Sequence, residues 1–311
     1  MNKSTLILVV VLVVLGVVAY FFLKSPSEGR ESSYKQAGFS MSVDSGSIAK
    51  ISIEKAGKLI TLENQGGKWM VTSPVNYPAN MNNILPILGG MGHFKVGSLV
   101  SSNPEKQSTY EVDSMGTKFS VTDRAGKTVS MIVGKSGPSY EDVYFRKDGE
   151  KDVYLGSGIN PFTLNQNVNE WRDKVISAIP KENITRVEYN NGAKDVVFEK
   201  DSTVWKTGGD SVQTITMDSF LNTVMNFMTE DFADTLTKPE TEPAQIKVTA
   251  DSKEFAFALY PQMPDSAKYY VQYSLSPQFF VVSKFTVQSL LKPVEKYWAP
   301  QGGAKMGKKK K

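Results

Sequence analysis

The sequence predicts an α+β fold, with an N-terminal transmembrane helix followed by two tandem repeats of antiparallel strands with packed helices. Three observations predict it. Thr5–Leu23 runs nineteen residues without a charge, between Lys3 and Lys24. Short stretches of alternating apolar residues, punctuated by glycine-containing turns, fill most of the remainder. The pattern of the first half then returns in the second at a nearly fixed offset.

As a helix rising about 1.5 Å per residue, Thr5–Leu23 spans roughly 28 Å, close to the ~30 Å hydrocarbon core of a bilayer. A cleaved signal peptide needs only about 7–15 apolar residues and a small-residue cleavage site, which this chain does not offer after the run. Residues 1–24 are therefore expected to be a retained single-pass anchor, with Tyr20, Phe21 and Phe22 at the interface. The sequence has no Cys. That excludes a cysteine-linked lipid anchor, disulfides, cysteine-zinc sites and thiol nucleophiles. Lys24, Arg30 and Lys35 outnumber Lys3 and the α-amino group, which by the positive-inside count would keep the bulk of the chain inside. The very short basic leader ahead of the segment reads instead as a signal anchor, and long domains translocate largely regardless of charge. The expectation is a bacterial inner-membrane protein with most of its chain extracytoplasmic.

The formal charge of +4 is concentrated at one end. Lys305 and Lys308–Lys311 set aside, 31 of the 36 Lys and Arg remain against 32 Asp and Glu, so the body of the chain is near neutral. No nucleic-acid partner is expected. Residues 299–311 read as a flexible tail, in which Lys308, Lys309, Lys310 and Lys311 are candidates for contact with anionic headgroups at about 1 kcal/mol each. A merely solubilising end is the equal alternative.

Residues 25–47, rich in Ser, Gly and charge, read as a juxtamembrane linker. The first repeat is expected over 48–180. Ile51 and Ile53, Leu59–Leu62 and Trp69–Val71 alternate as strands around Gly57 and Gly66-Gly67. Asn80 is placed to cap a helix carrying Ile84, Leu85, Ile87, Leu88 and Met91, with Pro86 in its first turns and Gly89, Gly90 and Gly92 ending it. Strands follow at Phe119–Val121, Val129–Val133, Val143–Phe145 and Val153–Leu155. Asn160-Pro161 then opens a second helix, whose apolar face Phe162, Leu164, Val168, Trp171, Val175 and Ile179 runs to Pro180.

The second repeat is expected over 181–298. A shift of 136 places Ile51 on Val187, Ile53 on Tyr189, Ile60 on Val196, Leu62 on Phe198, Trp69 on Trp205, Ile84 on Phe220 and Leu88 on Val224. A shift of about 126 places Tyr144 on Tyr270, Tyr154 on Phe280 and Leu164 on Leu290. By the same pattern Trp69, Trp171, Trp205 and Trp298 recur at equivalent places.

The Lys68-Trp69 hairpin, the Pro-containing loop into a helix, Val143-Tyr144-Phe145-Arg146, Val153-Tyr154-Leu155 and Glu170-Trp171-Arg172-Asp173-Lys174 together resemble the bacterial family called domain of unknown function 4340. The resemblance covers nearly the whole chain beyond the anchor. It implies a single-pass membrane protein in the neighbourhood of gliding-motility-type ABC transporters, and it carries over no catalytic residue. Where that family has a Tyr-Gly-Leu turn, this sequence has Tyr110-Glu111-Val112.

Other constellations are weaker. The single histidine, His93, follows Gly89-Gly90-Met91-Gly92 and reads as the end of a helix, and these glycines match no phosphate loop. Ser32/Lys35 and Ser47/Lys50 have Ser-x-x-Lys spacing, but one pair falls in the linker and the other enters a strand, where such residues face apart. Glu230, Asp231, Asp234, Glu240 and Glu242 gather acidity without calcium-loop spacing. Tyr140, Tyr144, Trp171 and Arg172 are the candidates for an interaction surface. No enzyme activity, cofactor or metal is expected. The expected role is a membrane-anchored accessory or scaffolding subunit of an ABC-type transport system, the association resting on the resemblance; the alternative is an extracytoplasmic module that binds an envelope glycan or lipid.

Overall fold

The structure is a computed structural model that describes residues 38–190, 195–262, 267–292 and 297. The expected anchor at 1–24, the Lys-rich tail and Trp298 lie outside the described residues. Among the described residues, no helix is long and apolar enough to cross a membrane. The chain divides into two units between Trp171 and Arg172.

The first unit contains β1 (Ile48–Lys55), β2 (Lys58–Gln65), β3 (Lys68–Ser73), β4 (Tyr77–Pro78), α1 (Met81–Gly92), β5 (Lys95–Ser101), β6 (Thr117–Asp123), β7 (Thr128–Ser136), β8 (Asp142–Lys147), β9 (Val153–Ser157) and α2 (Pro161–Leu164). Its strands form one antiparallel sheet in the order β4-β3-β2-β1-β6-β7-β8-β9-β5. Period-two alternation sends Ile51, Ile53, Leu62, Val71, Phe119, Val121, Val133, Val143 and Phe145 into one core with Ile84, Ile87 and Met91 of α1. On the other face a smaller cluster forms from Val112, Ile132 and Val153 under Tyr110 and Tyr144.

The second unit contains β10 (Val175–Ser177), β11 (Ile184–Asn190), β12 (Asp195–Asp201), β13 (Val204–Thr207), β14 (Asp210–Ser211), α3 (Thr214–Met225), β15 (Phe227–Met228), β16 (Asp231–Phe232), β17 (Ala244–Ala250), β18 (Lys253–Pro261), β19 (Lys268–Tyr273), β20 (Phe279–Ser283) and α4 (Lys284–Leu290). Its large sheet runs β14-β13-β12-β11-β17-β18-β19-β20-β16, the same order as the first.

The registers correspond as well. Ile51 opposes Leu62 and Val121, and Val187 opposes Phe198 and Val248. Tyr144 opposes Leu155, and Tyr270 opposes Val281. Even the irregularity between Ile48 and Lys50 returns between Ile184 and Arg186. Since a one-residue slip would turn every core side chain to solvent, matched registers mean matched cores.

Several details differ from the expectation. The helices align at a shift of 133, Met81 on Thr214 and Gly92 on Met225, so that Ile84, Ile87 and Met91 correspond to Met217, Phe220 and Val224. The connection through Pro74 is longer than the Gly208-Gly209 turn that replaces it. Gly89 and Gly90 do not end α1, which runs on to Gly92 with His93 as its cap. A Cβ on Gly90 would lie 1.8 Å from the carbonyl oxygen of Gly158, so this glycine admits a backbone, not a turn.

The single helix expected from Phe162 to Ile179 is three pieces: α2, a 3-10 turn at Val168–Trp171, and β10. Asn165 caps α2, and Asn167 and Asp173 accept hydrogen bonds from the backbone N–H two residues on, in Asn169 and Val175. Short polar side chains thus outcompete the helix for its own donors. β10 pairs with β15, which draws the segment after Trp171 into the second unit ahead of the expected Pro180 boundary. Residues 38–47 are not a free linker either. Met41 is buried, Phe39 packs edge-on to Tyr154 at 5.1 Å, and Val43 N–H donates to the Met91 carbonyl.

Candidate interaction site

The β1–β2 hairpin closes through Ala56 and Gly57, both at positive φ (49° and 75°), as a two-residue turn matching the strand twist requires. Ile53 opposes Ile60 and Lys55 opposes Lys58, so all four project from the core face. Ile53 and Ile60 finish the core, while Lys55 and Lys58 extend beyond it. Facing them is the broken helix. Asn160 caps α2 by accepting from Phe162 N–H at 2.9 Å, Leu164 is buried, and the chain then turns through Asn165-Gln166-Asn167.

A groove of about 700 Å³ opens between this hairpin, the Ser73-Pro74 connection and residues 164–168. Lys55 Nζ donates to Asn165 Oδ1 at 2.7 Å, and Thr117 Oγ1 donates to the same oxygen at 3.0 Å, which fixes the floor. A second cavity of about 360 Å³, lined by Met115, Lys135 and Phe162, shares Lys55 and Asn165 with it. Exposed apolar residues line both, Leu59 (46% exposed) the groove, and Met115 (66%) and Phe162 (71%) the second cavity.

Charge distinguishes the groove from three paired lysines of the same sheet. Lys50 pairs with Glu63 at 3.1 Å, Lys118 with Asp148 at 2.8 Å, and Lys147 with Glu150 at 3.4 Å. The hydrogen bond from Lys118 holds the Asp148 carboxyl below its ordinary range. Among the described residues, Lys55, Lys58 and Lys135 have no carboxylate partner. An apolar concavity edged by unneutralised ammonium groups is a site of positive potential.

The second unit does not repeat this arrangement. Tyr189 stands where Ile53 stands, and its hydroxyl donates to the carbonyl of Lys292, the position corresponding to Gln166. Tyr297 packs against Phe198 with ring centres 4.7 Å apart; burial and, secondarily, the neighbouring Tyr189 push its phenol well above the ordinary tyrosine value.

The four residues singled out from the sequence are not brought together. Tyr140 is 87% exposed beside a cavity of about 380 Å³ that His93 and Lys95 also line. Tyr144 packs on Tyr110 at 4.8 Å over the smaller core cluster. Trp171 and Arg172 are fully enclosed and present no surface. The Trp171 carbonyl accepts the N–H of Asn80, the cap of α1, at 2.8 Å; in the second unit Tyr297 accepts from Gln213, the cap of α3, so Tyr297 and not Trp298 is the counterpart of Trp171. The Arg172 guanidinium meets Asp234 at 2.7 Å and lies 3.5 Å from the centre of the Phe232 ring. Lys308, Lys309, Lys310 and Lys311 lie outside the described residues.

Ser47 Oγ donates to the Asp44 carbonyl and Lys50 is held by Glu63, so this pair is not a Ser-Lys dyad. Among the described residues no group of three or more His, Asp or Glu is placed to hold a metal ion.

A family model described as domain of unknown function (DUF4340) matches residues 69–251, more than half of the chain. The chain belongs to the DUF4340 family. No curated protein and no solved structure matches it. The DUF4340 match starts at Trp69 in β3 and ends just beyond β17, so it takes in parts of both units. Pro74 and Asn165–Val168 of the groove lie inside it, and the Ile53–Ile60 hairpin lies ahead of it. Glu111 has φ 56° and ψ 33°. That is the left-handed region, which glycine enters without steric cost and which explains why a glycine suits this turn.

Proposed function

We propose that this DUF4340 protein is a non-enzymatic, membrane-tethered accessory or scaffolding subunit whose first unit engages a protein partner. The observation that carries the reading is the groove at the β1–β2 hairpin, which Leu59 lines, with the adjoining cavity that the exposed Met115 and Phe162 line. Apolar residues gathered at one concavity mark an interaction site more readily than the same residues scattered singly. The tether is the uncharged Thr5–Leu23 segment. On this reading the bulk of the chain lies on the extracytoplasmic side of the bacterial inner membrane, and the family resemblance directs the search for a partner to the membrane part of an ABC-type transport system. The matching strand orders support two tandem copies of one architecture, of which one keeps the groove and the other bridges its place with Tyr189.

Crosslinking the full-length protein in its native membrane, followed by pull-down, tests the reading against a deletion of Thr5–Leu23. Transporter subunits recovered only with the anchor present support it; recovery of no protein refutes it. The groove's size, about 700 Å³, is also that of small-molecule sites, which favours as second reading a module for an envelope lipid or glycan. Lipid or glycan in the crosslinked material, with no protein, is the outcome that selects it.

A further inference from the structure

The groove's chemistry specifies more than an apolar partner. Its basic edge is Lys55 and Lys58, whose ammonium groups have no carboxylate among the described residues, while three other lysines of the same sheet are paired. Its apolar side is Leu59, Ile60 and Val168. Its third side is a run of carboxamides, Asn165-Gln166-Asn167.

We infer that the groove takes an acidic, apolar-containing peptide segment of a partner protein, its carboxylates against Lys55 and Lys58 and its apolar side chains against Leu59 and Val168. The inference rests on the scaffolding reading and gives its partner a chemistry. Complementarity of charge selects an anionic occupant. The carboxamide wall selects a peptide, because the Asn165 and Asn167 oxygens already hold donors and their side-chain N–H groups can meet main-chain carbonyls, which an acyl chain lacks. The second unit makes the contrast internally: Tyr189 and the Lys292 carbonyl are joined where Ile53 and Gln166 line the groove.

The test uses the full-length protein in lipid nanodiscs, with empty nanodiscs as baseline, and three fluorescent octapeptides: alternating Glu-Leu, alternating Glu-Ser and alternating Lys-Leu. The Glu-Leu peptide is expected to bind and the other two not to. The double substitution Lys55→Gln/Lys58→Gln is expected to weaken binding about tenfold, as loss of charge-assisted hydrogen bonds does at a half-exposed site. Leu59→Ser is expected to weaken it by about fivefold through lost apolar burial. All these positions are at the groove rim, and an unchanged thermal transition shows that each variant is folded. Binding of the Lys-Leu peptide, binding indifferent to the lysine substitutions, or displacement of the Glu-Leu peptide by phosphatidylglycerol vesicles overturns the inference. The membrane pull-down repeated with Lys55→Gln/Lys58→Gln separates it from the scaffolding reading. A partner captured equally by both forms refutes the acidic-segment inference alone, and one lost only from the variant supports it. No partner with either form refutes the scaffold.

Discussion

Adjacent glycines in α1 make the packing of the first unit testable at a single methyl group. Gly89 and Gly90 are both helical. A methyl on Gly89 meets nothing within 4 Å, so Gly89→Ala only removes the entropic penalty of a helical glycine and is expected to stabilise by about 0.5–1 kcal/mol. A methyl on Gly90 would sit 1.8 Å from the Gly158 carbonyl oxygen, 3.0 Å from its carbonyl carbon and 3.3 Å from Ile159 Cδ1. Two of the three obstructing atoms are backbone, and Gly158 is itself held at φ 119°, so the loop can yield only by moving as a whole. The same helix-propensity gain applies here, but overpacking of this kind costs about 1–3 kcal/mol or more and exceeds it. The two variants should therefore move in opposite directions from wild type, separated by the overpacking cost alone, about 1–3 kcal/mol or more. Urea denaturation of the full-length chain followed by tryptophan fluorescence measures this directly, since Trp69 and Trp171 report from the first unit. Equal midpoints for Gly89→Ala and Gly90→Ala, or a Gly90→Ala variant as stable as wild type, would refute the close approach of α1 to the β9–α2 connection.

Three further outcomes follow from other sites. Asp234→Ala takes one carboxylate from the fully enclosed Arg172 and should destabilise by up to about 3 kcal/mol; Arg172→Met should cost less in the same denaturation assay, because the Asp234 left behind is 36% exposed and can be solvated. Tyr297 has a raised phenol pKa, so its contribution is complete below the unfolded value of 10.0 and is lost as pH rises through the higher folded value; Tyr297→Phe should flatten the fall in thermal stability above about pH 10, and an unchanged alkaline limb would contradict the burial assigned to this ring. Glu111→Gly relieves a left-handed residue and should stabilise by up to about 1 kcal/mol, whereas Glu111→Val should destabilise, both read from thermal melts.

The strands were legible because period-two alternation and turn glycines are local signals, and the repetition was legible because matched cores require matched patterns. Asn80 was readable as a cap for the same reason: the Asn80 side chain bonds Asn82 N–H within its own turn. Most failures came from non-local facts. Apolar residues from Phe162 to Ile179 have helical spacing, but the intervening Asn165, Asn167 and Asp173 engage nearby backbone groups, and the pairing of Val175–Ser177 with β15 completes the break. Trp171 and Arg172 read as surface anchors by residue type, yet the carbonyl of one accepts from Asn80, the cap of α1, and the guanidinium of the other pairs with Asp234. Gly90 read as a stop because nothing local announces that Gly158 lies against it. The groove was invisible for the same cause, being made where Lys55 meets Asn165, 110 residues later. One trace was available: the connection through Pro74 that is longer than its counterpart at Gly208-Gly209 now forms part of the groove wall.

The scaffolding account is tested most directly by photo-crosslinking from single positions in the native membrane, with a benzophenone amino acid at Leu59, at Phe162, or at Ile215 on α3, which is 75% exposed and lies away from the groove residues in sequence. The account predicts one protein adduct shared by positions 59 and 162 and absent from 215. Adducts of equal strength at 215, or only lipid adducts at 59 and 162, would contradict it.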